Sequence, residues 1–575
     1  MSEKLSIEKK KDYISSSLTM IITLVMILII SLLCKTIMGK APNTKSITIA
    51  ENSAEEAFYN RDYERSINLY EDLLKKDPWP LYKVKIAEIY SIQGDYDKSN
   101  ALLQEAYEDR NSIIDTEGKE DYEDKDRELA NYIVFTFYMN GEYKKALEYG
   151  EMFFKDYSDD KKLLKTMFTV YMTNHEIDKA KDIVNDYPED DSDSKDLANL
   201  GRMYMLIDDY DNGFDLLKKA YENDKDEVKV FDVIAQIADY NKDKIMRKIS
   251  DLSKKDEDED VYKLWMAKIY SMSPYSAYES LDILNEIRDS EGDSINFKLI
   301  ESNAYENSGD EEESNKILSL IISDKDKSFI GYHTAAWQEF NDGSYDNALD
   351  DCKKSILLNK DYADNYGFLI PEIMEKQNKE DEAEPYFRTA LYKEPFNYNI
   401  MIKIAKYYLN TSSDNNMSLK YYNLASKIKP DDAEIYYNIA LININEQNNN
   451  EAVLNLNKCI KIDPQNSKYF RTISTVYSNI GENEKALKNI KNAYALNKND
   501  ILTLNNAGCY YISVEGDIQR GMVNLKAAYQ EMDEDTGDDE RKIITDNYSK
   551  AKKIYDEYNK MDGRDISIPE FKLFY

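Results

Sequence analysis

From Ile47 to about Gln530 the chain repeats one pattern of apolar and polar positions. A stretch of about a dozen residues carries apolar side chains three and four apart, a short turn follows, and a second stretch carries small and large apolar residues at the same spacing. That spacing predicts antiparallel helix pairs, each helix burying one face. The best unit puts Ile439 and Ala440 on a first helix and Ala452, Leu456 and Cys459 on a second, which Asp463-Pro464 ends. Another second helix reads Ala383, Phe387 and Ala390 before Pro395, and Leu197, Leu200, Gly201 and Tyr204 mark a first helix. Two such helices cannot bury their stripes alone. Small residues let the pair close up, and larger ones fill the gap to the next pair.

The period decides the architecture. Ala440, Ser474 and Gly508 stand 34 residues apart, Gly309 and Gly343 likewise, and Pro395, Pro430 and Pro464 step by 35 and 34. Turn signatures recur as Gly94-Asp95-Tyr96, Gly141-Glu142-Tyr143, Gly343-Ser344-Tyr345 and Gly481-Glu482-Asn483, each followed three residues on by Ser99, Ala146, Ala348 or Ala486. These residues resemble the tetratricopeptide repeat family, whose 34-residue pattern runs W-x2-L-G-x2-Y, then A-x3-F, then P. About fourteen units in one frame account for most of the chain. The resemblance implies an all-α solenoid of helical hairpins wound as a right-handed superhelix.

Departures from the family pattern suggest where the array is interrupted. Tryptophan is mostly missing from the first position, residues 107 to 126 insert an acidic stretch, and the unit from Val228 to Leu252 lacks the turn glycine and the second-helix alanine. The reading therefore separates a block at 47–252 from one at 261–530 across an acidic hinge at 253–260. Residues 531–575 are expected to form an acidic loop, a capping helix with Ile544, Tyr548, Ala551, Tyr555 and Tyr558 on one side, and an apolar extended tail that packs on the cap or docks elsewhere.

One segment breaks the amphipathic pattern. Ile14 to Cys34 is 21 residues without a charge, which as a helix would span roughly 31 Å and cross a bilayer once. Its length exceeds the roughly 7 to 15 apolar residues of a cleaved signal. Neither Gly39-Lys40-Ala41 nor Ser31-Leu32-Leu33 before Cys34 reads as a clean processing site. A retained transmembrane helix at 14–34 is expected, between a Lys-rich tail at 1–13 and a linker at 35–46. Lys4, Lys9, Lys10 and Lys11 precede the span and Lys35, Lys40 and Lys45 follow it. So short and basic a tail is hard to translocate, which predicts an inside N-terminus and an extracytoplasmic repeat domain in the cell membrane.

Charge and motifs narrow the function. Seventy-five basic against 110 acidic residues leave a net charge of -35, which excludes a general nucleic-acid binder and favours neutral or basic protein partners. No GxxxxGK[ST], GxGxxG or GxSxG occurs. His175-Glu176 begins like HExxH, but Lys179 stands where the second His belongs and the pair falls on an inter-helix turn. The acidic clusters at 190–193 and 533–538 lack the EF-hand order, and Cys352, Cys459 and Cys509 read as small buried hydrophobes. No catalytic residue, metal or cofactor is expected.

The resemblance also implies where binding would occur, because first helices of successive repeats line a concave groove that holds extended peptides or helices. The groove-facing positions carry Tyr437, Asn438 and Leu441, then Lys468 and Arg471, then Asn505 and Cys509. Lys468 and Arg471 would meet an acidic side chain or a carboxylate of a partner, or else pair with acids of neighbouring repeats. The family's carboxylate clamp is incomplete, since Ile402 and Lys406 stand where it needs Lys and Asn, and no uninterrupted asparagine ladder is present. His333, Trp337 and Phe340 mark a second candidate stretch. The expected function is a membrane-anchored, non-catalytic scaffold or adaptor for protein or peptide partners. The alternative is a cytoplasm-facing assembly or quality-control regulator of a membrane process.

Overall fold

The computed structural model describes residues 47–255, 260–560 and 567–575. The expected span at 14–34 with its flanks, and residues 256–259 of the acidic hinge, lie outside the described residues. The chain divides into units at 1–49 and 50–575. In the first, residues 47–49 are described and carry no regular secondary structure. The second is an all-helical solenoid of stacked hairpins, with no β-strand among its described residues. No described helix is long and apolar enough to cross a membrane.

The turn signature does the work expected of it. Gly94, Gly141, Gly343 and Gly481 adopt φ of 76 to 82°, the left-handed region in which a helix can stop and reverse. The amide of the residue after each glycine then reaches back, as in Asp95 N–H to the Tyr90 carbonyl (2.9 Å) and Glu482 N–H to the Tyr477 carbonyl (2.9 Å). Arg61, His175, Asp208, Asn378 and Gln447 hold a similar backbone at φ 55 to 65°. His175 thus sits in a reverse turn.

Within hairpins the small residues set the spacing. Ala440 on Ala433–Asn445 and Ala452, Leu456 and Cys459 on Asn449–Ile462 are all buried. Gly508 and Gly521 bring two backbones together: a Cβ on Gly508 would lie 2.8 Å from the Gly521 carbonyl oxygen. The unit without a turn glycine folds differently. Helix Lys229–Lys255 breaks at Asn241 (φ -151°, ψ 74°), whose side-chain oxygen caps the restart by accepting from Lys244 N–H (3.1 Å).

One contact pattern has no counterpart in the repeat register. Helix Glu384–Lys393 and the segment after it run along the first helices of the early units. The Tyr392 ring stacks on Tyr132 at 4.0 Å, Tyr386 meets Tyr59 at 4.9 Å, and Phe396 stands edge-on to Phe168. Arg202 donates to Asn397 (2.9 Å) and Asn399 (2.8 Å), and Lys229 pairs with Glu394 (2.6 Å), both buried. The early units therefore wrap around a later part of the same chain.

Candidate functional site

Helices Ser467–Asn479, Ile501–Ser513 and Asp538–Tyr558 each turn a polar stripe toward one channel. The first supplies Arg471, Thr475 and Asn479 at four-residue steps, the second Asn505 and Asn506, the third Asn547 and Lys550. Residues 567–575 cross these stripes as an extended segment. Lys550 donates to the Glu570 carbonyl (3.0 Å). Asn547 brackets Lys572, donating to its carbonyl (2.7 Å) and accepting from its N–H (3.2 Å). Two residues on, Asn506 brackets Phe574 in the same way, at 2.7 and 2.9 Å. Thr475 adds a bond to the Phe574 carbonyl (2.8 Å), Arg471 one to the Tyr575 main-chain oxygen (3.3 Å), and Asn479 one to the Tyr575 hydroxyl (2.9 Å).

A side-chain amide facing a main-chain amide satisfies donor and acceptor together, as a neighbouring β-strand would. The two-residue interval between the brackets matches the repeat of an extended chain, so both act on one edge of it. Phe571 and Leu573 pack on the cluster of Ile512, Leu525 and Ile554, and Phe574 packs beside Leu504 and Ile544. Asn505, Asn506 and Asn547 are buried. Burial makes their hydrogen bonds obligatory, and the extended segment supplies several of them.

The residues expected from sequence divide between this channel and other duties. Arg471 and Asn505 reach the segment, Asn505 through the Lys572 carbonyl (3.3 Å). Arg471 also pairs with Asp500 (2.6 Å). Lys468 pairs with Glu434 (2.8 Å), which holds the same place one repeat earlier, and lies over the Tyr437 ring. Tyr437 is buried, its hydroxyl 3.2 Å from that of Thr472. Asn438 donates to the Glu434 carbonyl of its own helix, and Leu441 is half-buried. Sequence reasoning missed Thr475, Asn506 and Asn547. The signal was an Asn-Asn pair on a first helix, one repeat from an asparagine in the cap.

A second stretch of inner surface remains open. A cavity of about 820 Å³ is lined by helices Lys229–Lys255, Asp260–Ser271, Ile295–Ser308 and Phe329–Asn341, among others. His333 and Trp337 line it, and Phe340 stands edge-on to Trp337 at 5.6 Å. Trp337 N–H donates to His333 Nε2 (3.1 Å), so the neutral ring carries its proton on Nδ1 and donates to Asn365 (2.8 Å). Burial pulls His333 below its ordinary pKa, and a second proton would point a donor at the indole donor. Asp232, Glu306, Glu311 and Asp342 face a single lining cation, Lys268. Burial raises the Asp232 carboxyl, with Asp364 adding to the shift, and lowers the Lys268 ammonium. The lining is therefore aromatic, rich in amides and acidic.

The tetratricopeptide repeat profile matches residues 433–466. No curated protein sequence matches the chain. Among solved structures, the chain is similar to yeast Tom70 at 15% identity, over 83% of this chain and 94% of that one, with a TM-score of 0.35. It is similar to the Naa15/Naa10 complex bound to HypK-THB at 13% identity, over 89% and 96%, with a TM-score of 0.39. Pseudomonas aeruginosa PilF matches at 13% identity over 39% of this chain and 98% of that one, with a TM-score of 0.29.

Proposed function

Given that the chain is a tetratricopeptide-repeat protein, we propose that it is a non-catalytic scaffold, anchored in the cell membrane through residues 14–34, that holds a protein segment in the cavity beside His333 and Trp337. The observation that carries this reading is the contrast along the inner surface. Early units are covered by helix Glu384–Lys393 and late units by residues 567–575, whereas the cavity between them is covered by no other part of the described chain. Its lining suits a neutral or basic segment. Trp337, Leu299 and Ile330 offer apolar contact, amides such as Asn315 and Gln338 offer hydrogen bonds, and Glu306 and Glu311 offer pairing to Lys or Arg.

The test is crosslinking in cells from a photoreactive residue at position 315, another cavity-lining position, of the full chain, followed by identification of what is captured. Trp337→Ala together with Glu306→Lys and Glu311→Lys should then lower capture at least tenfold, and capture within twofold of the unmodified chain overturns the cavity as the binding site. Topology is tested separately. Protease added to intact cells, with any wall removed, should degrade the repeats and spare residues 1–13. Protected repeats would place them in the cytoplasm and favour an assembly or quality-control role.

A further inference from the structure

We infer that the channel across helices Ser467–Asn479, Ile501–Ser513 and Asp538–Tyr558 is a second protein-binding site. Its ligand is an extended protein segment with aromatic or aliphatic side chains at the places of Phe571, Leu573 and Phe574, and residues 567–575 are the resident occupant that such a segment displaces. The inference stands apart from the middle cavity and does not depend on what binds there.

The manner of attachment carries the argument. The brackets of Asn547 and Asn506 grip main-chain N–H and C=O groups at 572 and 574, which every non-proline residue presents. They select an extended backbone without requiring a particular sequence. Selectivity falls to the side chains: Phe571 and Leu573 enter one apolar cluster and Phe574 a second, while Lys572 faces solvent.

The occupant also differs from a core element. No residue of 567–575 is fully buried, and Ile568 and Tyr575 remain 40% and 39% exposed. The asparagines beneath it belong to helices Ile501–Ser513 and Asp538–Tyr558 and are buried with the segment in place, so the groove is carried by the helices and the segment lies on top. Eight residues separate Tyr558 from Ser567, and covalent attachment through a link of that length gives an effective concentration on the order of millimolar. A free segment of equal intrinsic affinity therefore competes poorly until the resident one is released, which makes the site latent in the unmodified chain.

A labelled peptide of sequence 567–575 serves as the probe. Full-length chain carrying Phe571→Ala, Leu573→Ala and Phe574→Ala keeps every groove residue while weakening its own occupant. It should bind the peptide at least tenfold more tightly than the unmodified chain does. Adding Asn506→Ala and Asn547→Ala should reverse that gain at least tenfold. Equal binding to both chains, no binding to either, or indifference to the asparagine substitutions overturns the inference. Hydrogen exchange on the unmodified chain gives an independent reading. The Lys572 and Phe574 amides should open at least tenfold more often than the amides of Ile501–Ser513, and opening in step with that helix would make the segment an inseparable part of the core and overturn the inference.

Discussion

Two cations on one helix turn show how unequal neighbouring residues can be. Arg471 and Asp500 are both largely buried, at 8% and 14% side-chain exposure, whereas Lys468 and Glu434 stand at 33% and 54%. Removing Arg471 leaves Asp500 charged and desolvated, so Arg471→Ala should lower stability by about 3 kcal/mol. Lys468→Ala should change it by less than about 1 kcal/mol. Chemical denaturation of the two variants side by side separates these outcomes. His333 gives a pH signature. Unfolding returns the imidazole to its ordinary 6.5, so its contribution to stability is full above pH 6.5 and is lost as pH falls through the lower folded value. Proton NMR of the two imidazoles, assigned with His175→Gln, should show His333 titrating below 6.5, and His333→Gln should flatten that part of the stability profile. The sequence placed Arg471 and Asn505 in a groove because the repeat register assigns each position a face. It placed Lys468 beside them and could not tell that Glu434 takes its charge, because register fixes direction and not partner.

At the level of helices and turns the period was legible, since hairpin geometry is local and its markers are few. Gly94 and Gly481 announce their turns, but Arg61, His175 and Gln447 form the same turn unannounced. A left-handed residue with a side chain costs only about 1 to 2 kcal/mol, which a packed hairpin absorbs. Close packing is the stricter demand. At Gly508 an added methyl would meet the Gly521 carbonyl and the Leu525 side chain, at 2.8 and 2.6 Å, while at Gly481 it meets open space. Gly508→Ala should therefore cost about 1 to 3 kcal/mol through overpacking and Gly481→Ala about 1 kcal/mol through backbone strain alone. Hydrogen exchange should place the first loss in both helices of the Gly508 hairpin and confine the second to the turn. The break at Asn241 was legible only as a missing glycine, because the sequence did not say what replaced it.

Over the whole described unit, the largest departure from the sequence reading is the wrapping of early units around helix Glu384–Lys393. Contacts such as Tyr59 to Thr389 join residues 330 apart, and no periodic pattern encodes a pairing at that separation. A repeat array with only neighbour interfaces would lose stability one hairpin at a time. Here Tyr132 and Tyr392 tie distant hairpins together, so a double-substitution cycle, Tyr132→Ala with Tyr392→Ala, should return a coupling of about 0.5 to 1.5 kcal/mol. Zero coupling would show that this ring stack does not tie the two regions together. The same ring stack sets a schedule for synthesis. Tyr59, Tyr132 and Phe168 leave the ribosome well before residues 386 to 396 that cover them, and at about 5 to 20 residues per second the gap amounts to some 10 to 60 seconds. Throughout that interval the nascent chain displays a strip of uncovered aromatic rings, which makes the stretch of translation before residue 396, rather than the finished protein, the stage most in need of a chaperone.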